Sequence, residues 1–434
     1  MKRTRISDIK QEEGKEYFVG GWIERIKDIG KIKFIWLNDG TGKIQITIPN
    51  NLDKNILDKA NSLAIHDFIY VKGTIPSKII SKNYLEIIPN YIELITKAEK
   101  PLPIDMSGEF ESGLDVILDW RSIALRDEKR AAILKIESLL VRGLQDYLNK
   151  EGFSLIFTPC IIGAPAEGGS EVFEVKYFDK KAYLRQDPQL HRQLLIIAGF
   201  DRVYDIGPSW RAELSHTTRH LCEHRNCAVE MAYIEGNNDL MDLEERLVRH
   251  AIKYVVEYGT KELKILNKEL SIPDNTRFPV VNFPDIYDIL SSMGRKIPFE
   301  EDISREDELL IFNYVKEHYD SDFFFINRFP FKVKPFYVMK DDNIFARSYD
   351  LEYKGVELSS GGQREHRYNV LLDQIKEKNL NEKNLEWFTK FFRYGAPPHG
   401  GFSIGIERFT MQLLNIPNIL EVTPFPRTPE RMLP

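Results

Sequence analysis

The most constraining feature of the sequence is a series of five short strand-like segments within residues 17–98. They read "YFVGGWIERI", "KIKFIWLND", "KIQITIP", "DFIYVKGTI" and "YLEIIPNYIELI", and several alternate apolar with polar residues, as half-buried strands do. The turn sequence "DGTG" separates two of them. Five strands in about 85 residues fit a small closed barrel, so we expect residues 1–100 to form a separate all-β domain.

After these segments the residue pattern changes, first to a polar stretch and then to alternating helix-like and strand-like segments. The polar stretch "TKAEKPLPIDMSGEFESGLD" is typical of a linker, which we place at residues 101–127. From residue 128 onward, helices are predicted at 128–152, 187–199, 240–258, 303–317 and 380–392. Strands such as "SLIFTPCII", "AYLRQ", "RVYDIGPSW", "AVEMAYIE" and "KPFYVMK" alternate with them. This order predicts an α+β domain over residues 128–434, built on an antiparallel sheet flanked by helices and carrying a small insert at about 265–330.

Composition narrows the classes of protein that remain. The 434 residues suggest two or three domains, and 42% hydrophobic with 29% charged residues is an ordinary globular balance. The net charge of -6 means that a nucleic-acid partner would have to be met by local basic patches. An odd count of three cysteines suits a reducing compartment. Because no run of about 18 apolar residues occurs, we expect a cytoplasmic protein with no membrane partner.

The segment "SWRAELSHTTRHLCEHRNCAVEMAYIE" raises the question of a metal site. It contains the potential zinc ligands His216, His220, Cys222, His224 and Cys227. Their spacing matches no familiar zinc arrangement. Three interleaved arginines, Arg211, Arg219 and Arg225, would oppose a dication and suit a polyphosphate instead. A structural metal and a solvated polar loop remain as alternatives to a phosphate site.

Two distant segments together favour the phosphate interpretation. In the first, a strand ends near Arg211 and Glu213, a loop carries Arg219 and His220, and a second strand returns. The second, "PPHGGFSIGIERF", has glycines where a backbone could approach a ligand and then presents Arg408 on a following helix. The chain has no G-x-x-x-x-G-K-[ST] loop that would bind phosphates in another way.

With these segments the chain resembles the class II aminoacyl-tRNA synthetases, and in particular the aspartyl-tRNA synthetases of archaeal and eukaryotic type. "FTPCII" with Pro159 is similar to the family's motif 1, which forms a dimer interface, "RAELSHTTRHLCEH" to motif 2 and "GGFSIGIERF" to motif 3. The resemblance implies an OB-fold anticodon-binding domain at the N-terminus and a homodimeric ligase. It also implies ATP as substrate, Mg²⁺, L-aspartate, and as partner tRNA(Asp), with tRNA(Asn) as a further candidate.

The resemblance also implies roles for individual residues. ATP would be bound by Arg211, Glu213, Arg219, His220, Glu357 and Arg408, of which Arg211, Glu213 and Arg408 form the catalytic set. The amino acid would be bound by Glu167, Gln189, Arg192, Ser360 and Arg364, with Glu167 and Gln189 at the α-ammonium group and Arg364 at the side-chain carboxylate. Mg²⁺ would be held by Glu357 and Ser360, and anticodon bases would be contacted by Phe34 and Gln45. Without the resemblance, Phe34 and Trp36 could equally be core-facing strand residues.

Four positions depart from the family pattern. Asp187 replaces a serine, Arg192 a lysine that helps to hold the substrate carboxylate, and Ser403 a motif 3 glycine, while Ala228 occupies a position where an aspartate faces the substrate ammonium. A local compensation, for instance by Asp187, would explain the changes. The alternatives are a paralogue that activates another acid or resists an adenylate mimic, an asparaginyl-tRNA synthetase, and a non-catalytic RNA-binding protein on the same scaffold.

Overall fold

The computed structural model describes residues 2–78, 84–106, 112–164, 171–214, 217–271 and 277–434. The chain divides into two compact units, Met1–Glu128 and Lys129–Pro434. In the described part of the chain, no helix combines the length and the apolar character needed to cross a bilayer.

The first unit contains a five-stranded closed barrel with strand order β1-β2-β3-β5-β4, as predicted. Its elements are β1 (Glu16–Ile29), β2 (Ile32–Asn38), β3 (Lys43–Pro49), α1 (Lys54–Ser62), β4 (Phe68–Thr74) and β5 (Glu86–Thr96). Alternating residues such as Ile35, Leu37, Ile46 and Val71 fill the barrel and are fully buried. Two short helices, α2 (Leu114–Asp119) and α3 (Arg121–Ala124), lie in the stretch that we expect to be a linker.

The second unit is built on an eight-stranded sheet of order β12-β13-β14-β15-β16-β11-β10-β6. Its elements are α4 (Glu128–Lys150), β6 (Ser154–Leu155), β7 (Ile161–Ile162), β8 (Glu174–Tyr177), β9 (Lys180–Leu184), α5 (Gln189–Ile197), β10 (Arg202–Trp210), β11 (Glu223–Ala232), α6 (Asn237–Tyr258), α7 (Thr260–Leu266), β12 (Val280–Asn282), α8 (Asp285–Ser292), α9 (Arg305–Tyr319), β13 (Phe323–Asn327), β14 (Ser348–Tyr353), β15 (Glu357–Gln363), α10 (Tyr368–Glu377), α11 (Glu382–Thr389), β16 (His399–Gly405) and α12 (Ile406–Leu413). The central strands are antiparallel, and only the edge pairs β6/β10 and β12/β13 are parallel. This confirms the predicted α+β class. A second sheet, of order β7-β9-β8, is small.

One face of the large sheet is the hydrophobic core. Phe402 and Ile404 on β16 pack there with Val229 on β11 and with the apolar residues of α4 and α6. The two helices approach closely where a Cβ on Gly143 would lie 2.9 Å from the Cα of Ala251. Because side chains alternate along a strand, the residues between these core positions face the opposite side of the sheet, where the candidate site lies.

Two predicted strands differ in the structure. "SLIFTPCII" forms two short strands, β6 and β7, in different sheets; Pro159 between them has no amide hydrogen to offer to a ladder. "KPFYVMK" is not a strand, and it contributes only isolated bridges from Val338 to Arg364 and from Lys340 to Ala346. Pro335 near the start of this segment also lacks an amide hydrogen, and its ring fixes the backbone angle φ.

Candidate active site

A single cavity of about 270 Å³ brings together most of the predicted site residues. It is lined by Gln189, Arg211, Glu213, Arg219, His220, Glu357, Ser360, Arg364 and Arg408. Arg211 follows β10, Arg364 follows β15 and Arg408 lies on α12. Three arginines that are far apart in the sequence therefore face one space. Glu167 lies outside the described residues.

The glycines near the C-terminus serve the sheet as well as the cavity. A Cβ on Gly401 would lie 1.9 Å from the backbone oxygen of Val229, and one on Gly400 would lie 2.7 Å from Leu240. Close packing therefore requires both glycines, and neither lines the cavity. Gly405 is the one of the three that lines the cavity.

At one end of the cavity, arginines and carboxylates form a connected set. Arg211 Nη1 lies 3.3 Å from Glu213 Oε1, and Arg408 Nη1 lies 2.9 Å from the backbone oxygen of Glu357 and 3.6 Å from its Oε2. Arg219 donates to Glu308 of α9 at 3.2 Å. This end therefore presents several cations whose present partners are carboxylates, which a polyphosphate could replace.

Carboxylates accumulate next to these arginines. Burial and the neighbouring Glu357 raise the pKa of Asp350 to about 6, although Lys334 lies 2.9 Å away. Burial and the charges of Glu308 and Glu357 also raise the pKa of Glu352. Burial alone would raise the pKa of Glu357, but Arg408 and Lys334 hold it below its usual value. The region therefore concentrates negative charge that an added cation would relieve.

The histidine and cysteine residues of the hairpin do not converge. Burial, together with Arg211 and Arg408, lowers the pKa of His224 to about 3, so this cavity-lining imidazole is neutral. Cys227 lies in the hydrophobic core, where burial raises the pKa of its thiol to about 12. In the described part of the chain, no group of three or more His, Cys, Asp or Glu side chains is arranged to hold a metal. His216 lies outside the described residues.

At the other end of the cavity, Gln189 links two guanidinium groups. Its Oε1 accepts from Arg192 Nη2 at 2.8 Å and from Arg364 Nη2 at 2.9 Å. Its Nε2 donates to Glu230 Oε2 at 2.9 Å. Arg364 also donates through Nε to Glu230 Oε1 at 3.1 Å and through Nη2 to the backbone oxygen of Gly401. The guanidinium of Arg364 is therefore fixed in orientation by the sheet below it.

Arg192 lies directly behind this wall and does not line the cavity. Its side chain is fully buried and donates to Asp187 Oδ1 at 2.7 Å. Its Nε and Nη1 have no hydrogen-bond partner among the described residues. The predicted direct contact of Arg192 with the amino acid is thus not available in this arrangement, although the guanidinium adjoins two residues that do line the cavity, Asp187 and Gln189.

The positions that depart from the family pattern form one cluster. Ala228 on β11 pairs with Ser403 on β16. Ser403 Oγ donates to Asp187 Oδ2 at 3.1 Å, and both Asp187 and Ser403 line the cavity. Three departures therefore lie next to each other, and the fourth, Arg192, is bonded to Asp187.

Sequence reasoning did not identify Glu230, Glu308, Lys334 or Asp350. Glu230 lies in the apolar strand sequence "AVEMA", where a single carboxylate among apolar residues was the available signal. The structure shows that it is fully buried. Glu308 lies on α9, within the segment expected to be an insert, and nothing in its local sequence points to Arg219. Lys334 lines the cavity and donates to Asp350, which lies on β14, 16 positions further along the chain.

The predicted anticodon residues lie on the barrel. Phe34 and Gln45 point away from the barrel core, which is filled by their strand neighbours. Phe34 and Trp36 are therefore not part of the cluster that fills the barrel, but Phe34 is buried, so the alternative that it is a packed strand residue stays open. Phe34 is 8% exposed and Gln45 4% exposed, and Gln45 Nε2 donates to Thr47 Oγ1 at 3.1 Å. Neither side chain is open to solvent in this arrangement.

Comparison with known proteins agrees with the two units. Residues 17–95 match the OB-fold nucleic acid binding domain, and residues 113–429 match the tRNA synthetases class II (D, K and N). The chain belongs to this class II tRNA synthetase family, whose members are ligases that use ATP as substrate.

Individual relatives span the whole chain. It is 45% identical to the aspartate–tRNA(Asp) ligase of Pyrococcus horikoshii, with 100% of both chains covered. It is 38% identical to the aspartate–tRNA(Asp/Asn) ligase of Methanopyrus kandleri, also over 100% of both. A solved asparaginyl-tRNA synthetase from Pyrococcus horikoshii, complexed with asparaginyl-adenylate, matches with a TM-score of 0.92 at 31% identity over 100% of both chains.

Proposed function

We propose that this protein is an aspartate–tRNA ligase, which activates L-aspartate with ATP and transfers it to the 3′ end of tRNA(Asp). The shared cavity of Arg211, Arg364 and Arg408 supports the proposal. So does the 45% identity to a relative that carries this name.

The observation that carries the choice of aspartate is an excess of hydrogen-bond donors at the Gln189 end of the cavity. Arg364 lines the cavity, and no hydrogen bond to a described residue engages its Nη1. The buried guanidinium of Arg192 adds positive charge behind it, since both donate to Oε1 of Gln189. Guanidinium groups offer donors alone, and a carboxylate offers acceptors alone. A side-chain carboxylate would satisfy this surplus, whereas the amide of asparagine would bring two further donors.

The reaction needs positioning and charge neutralisation rather than a general base. In the proposed first step, an oxygen of the aspartate α-carboxylate forms a bond to the α-phosphorus of ATP, and the bond from that phosphorus to pyrophosphate breaks. Arg211 would hold the α-phosphate and Arg408 the γ-phosphate, with Arg219 and His220 alongside. In the second step, a terminal ribose hydroxyl of tRNA attacks the aspartyl carbonyl and AMP leaves. Glu213 would bind the adenine.

Mg²⁺ would be held by Glu357 and Ser360 together with phosphate oxygens. Ser360 faces the cavity and donates to Asp350, and the lowered pKa of Glu357 keeps its carboxylate charged, so hard oxygen ligands lie together there. Because the described residues provide no complete ligand set, phosphate and water would have to supply the remainder, which suits the preference of Mg²⁺ for partial hydration. When bound, the ion would neutralise charge that develops on the phosphates.

We further propose a homodimer formed through α4 and the segment around Pro159. Leu155, Phe157 and Ile161 of this segment are exposed, and Phe157 is 88% exposed. Apolar side chains concentrated in this way are typical of protein interfaces. Light scattering should give twice the chain mass for the protein and the single mass for Phe157→Asp. A single mass for the unmodified protein would refute the dimer.

For the N-terminal unit we propose anticodon binding through the barrel, with Phe34 stacking on a base, and a hinge at residues 101–127.

All three cysteines are free, which is compatible with a reducing cytoplasmic compartment.

Amino-acid-dependent pyrophosphate exchange with each of the twenty amino acids tests the proposal. We expect exchange with aspartate alone, and charging of purified tRNA(Asp). Exchange with asparagine alone would identify an asparaginyl enzyme, which the TM-score of 0.92 to such a protein makes the second candidate. Exchange with another acid would identify a specialised paralogue, and absence of exchange with all twenty would refute the ligase. Charging of tRNA(Asn) with aspartate decides the tRNA range.

A further inference from the structure

The end of the cavity that contains Gln189 offers few acceptors for a positively charged group. An α-ammonium group has three donors and needs oxygen acceptors, at least one of them preferably charged. Gln186, Gln189 and Asp187 line the cavity and carry such oxygens, and Glu230 lies beneath it. Of these four side chains, only Asp187 and Glu230 are carboxylates, and Gln186 is neutral. Their hydrogen bonds differ in how much acceptor capacity they leave.

Gln189 has no free hydrogen-bond acceptor site. A carbonyl oxygen has two lone pairs, and Oε1 of Gln189 already accepts from two guanidinium groups. Its amide nitrogen can only donate. The predicted role of Gln189 as an ammonium acceptor therefore conflicts with its bonding here, and its contacts fit the orientation of Arg192 and Arg364 better.

The carboxylate of Glu230 is also engaged in hydrogen bonds with protein groups. Its side chain is fully buried, and it accepts from Gln189 Nε2 and from Nε and Nη2 of Arg364. It does not line the cavity. Glu230 thus balances the charge of Arg364 from below and is screened from a ligand by the residues that it holds.

Asp187 has free hydrogen-bond acceptor sites and a position from which it can contact a ligand. It lines the cavity and accepts one bond at each oxygen, from Arg192 Nη2 and from Ser403 Oγ. A carboxylate has about four acceptor sites, so two stay available. Burial opposes its ionisation, but Arg192 and Ser403 hold the pKa of Asp187 below its usual value, so it is charged at neutral pH.

We propose that Asp187 receives the α-ammonium group of the bound amino acid, with Ser403 and Arg192 as the positioning residues that hold its carboxylate. The carboxylate then comes from the loop before α5, instead of from β11, where Ala228 stands opposite Ser403. This inference rests on the proposed activation of aspartate, and it assigns a specificity residue to that reaction.

Succinate, which is aspartate without its amino group, separates ammonium recognition from the rest of the site. In the pyrophosphate-exchange assay, the KM for aspartate and the Ki for succinate are measured for the unmodified protein and for Asp187→Asn. We expect the KM for aspartate to rise about 10- to 100-fold, since a charged hydrogen bond is lost. The Ki for succinate should change by less than about threefold. Asp179→Asn, a matched change in the exposed β8–β9 turn, should alter neither value.

Two further variants keep the proposal testable if Asp187→Asn folds poorly. Ser403→Ala should raise the KM for aspartate about two- to fivefold with no effect on succinate, because it removes one neutral hydrogen bond that positions Asp187. The double variant Asp187→Ser with Ala228→Asp moves the carboxylate to the facing strand, and it should recover most of the aspartate affinity that Asp187→Ser alone loses. Thermal melting reports folding of each variant.

Three outcomes would overturn the proposal: an unchanged KM for aspartate in Asp187→Asn, an equal loss for aspartate and succinate, or a folded double variant no better than Asp187→Ser. A lack of aspartate-dependent exchange in the unmodified protein is a different result, since it would refute the proposed function.

Discussion

Arg192 and Arg364 donate to the same atom, Oε1 of Gln189, at 2.8 and 2.9 Å. Two like charges share one neutral oxygen because each also has its own carboxylate, Asp187 for Arg192 and Glu230 for Arg364. The four charges form a neutral, largely buried network in which the loss of any member leaves another without compensation.

Arg364→Lys tests this network. Lysine keeps the charge but loses the planar fork that contacts Glu230, Gln189 and Gly401 simultaneously. We expect kcat/KM for aspartate in pyrophosphate exchange to fall about 100-fold or more, with the KM for ATP within about threefold. Arg305→Lys, at an exposed position, is the control. Activity within about twofold of normal in Arg364→Lys would contradict the assigned role.

Arg211→Ala and Arg408→Ala test the phosphate end. Both residues line the cavity, and neutralisation of phosphate charge should depend on them. We expect each variant to lose pyrophosphate exchange by about 1,000-fold, while tRNA binding measured by filter retention stays within about threefold. Arg305→Ala serves as the matched control. Near-normal exchange in either cavity variant would refute the assignment.

Binding of ATP should be visible without catalysis. A ligand that binds only the folded state raises its stability, by about 2.7 kcal/mol at one hundred times its Kd. We expect ATP with Mg²⁺ to raise the Tm, and EDTA or Glu357→Gln to reduce that rise. A Tm that ATP and Mg²⁺ leave unchanged would favour a non-catalytic protein on this scaffold.

The buried carboxyl group of Glu244 should make the stability of the protein depend on pH. It is fully buried on α6 next to Ser359, which donates to it. Burial raises its pKa from 4.5 to about 8. The unfolded chain ionises first as pH rises, so Glu244 removes stability between these two pKa values, by up to about 1.4 kcal/mol per pH unit.

Glu244→Gln should therefore weaken the fall in Tm between about pH 5 and pH 8, because glutamine does not ionise. Melting curves across that range for both proteins give the difference directly. Glu257→Gln, an exposed change near the end of the same helix, is the control. Parallel pH profiles for the unmodified protein and Glu244→Gln would contradict the prediction.

Phe34→Leu separates the barrel from the catalytic unit. If Phe34 stacks on an anticodon base, its loss should raise the KM for tRNA in charging by about 5- to 100-fold, since stacking contributes about 1–3 kcal/mol per base. Pyrophosphate exchange does not need the barrel and should stay unchanged. Tyr91→Leu, at an exposed position on β5, is the control. An unaltered KM for tRNA would remove Phe34 from the interface.

The barrel was predictable because its pattern is local. Ile35 and Leu37 alternate with Phe34 and Trp36, so strand register follows from period two. The two strand predictions that were wrong also have local causes. Proline ends the strand predicted around Pro159, and near Pro335 the apolar run packs into a core cluster with α10 and α11 without joining a sheet. Apolar content alone does not distinguish these cases.

The resemblance to family motifs predicted which residues line the cavity near Arg211 and Arg408, but it did not predict their hydrogen bonds. Gln189 carries the expected residue type, yet its oxygen is taken up by two arginines that lie 3 and 175 positions away. Arg192 was expected in the cavity, but it is buried and bonded to Asp187 and Gln189, which line the cavity instead. Contacts of this kind depend on tertiary packing, for which a single sequence carries little signal.

The ion pair between Arg219 and Glu308 joins the hairpin loop of the cavity to α9 of the insert. If Arg219 binds ATP as proposed, it exchanges that carboxylate for phosphate oxygens, and α9 loses this ion pair in the ATP complex. Substitutions along α9 would therefore tune nucleotide affinity from outside the three motifs. The insert is a place where related enzymes could diverge in ATP requirement while their chemistry stays the same.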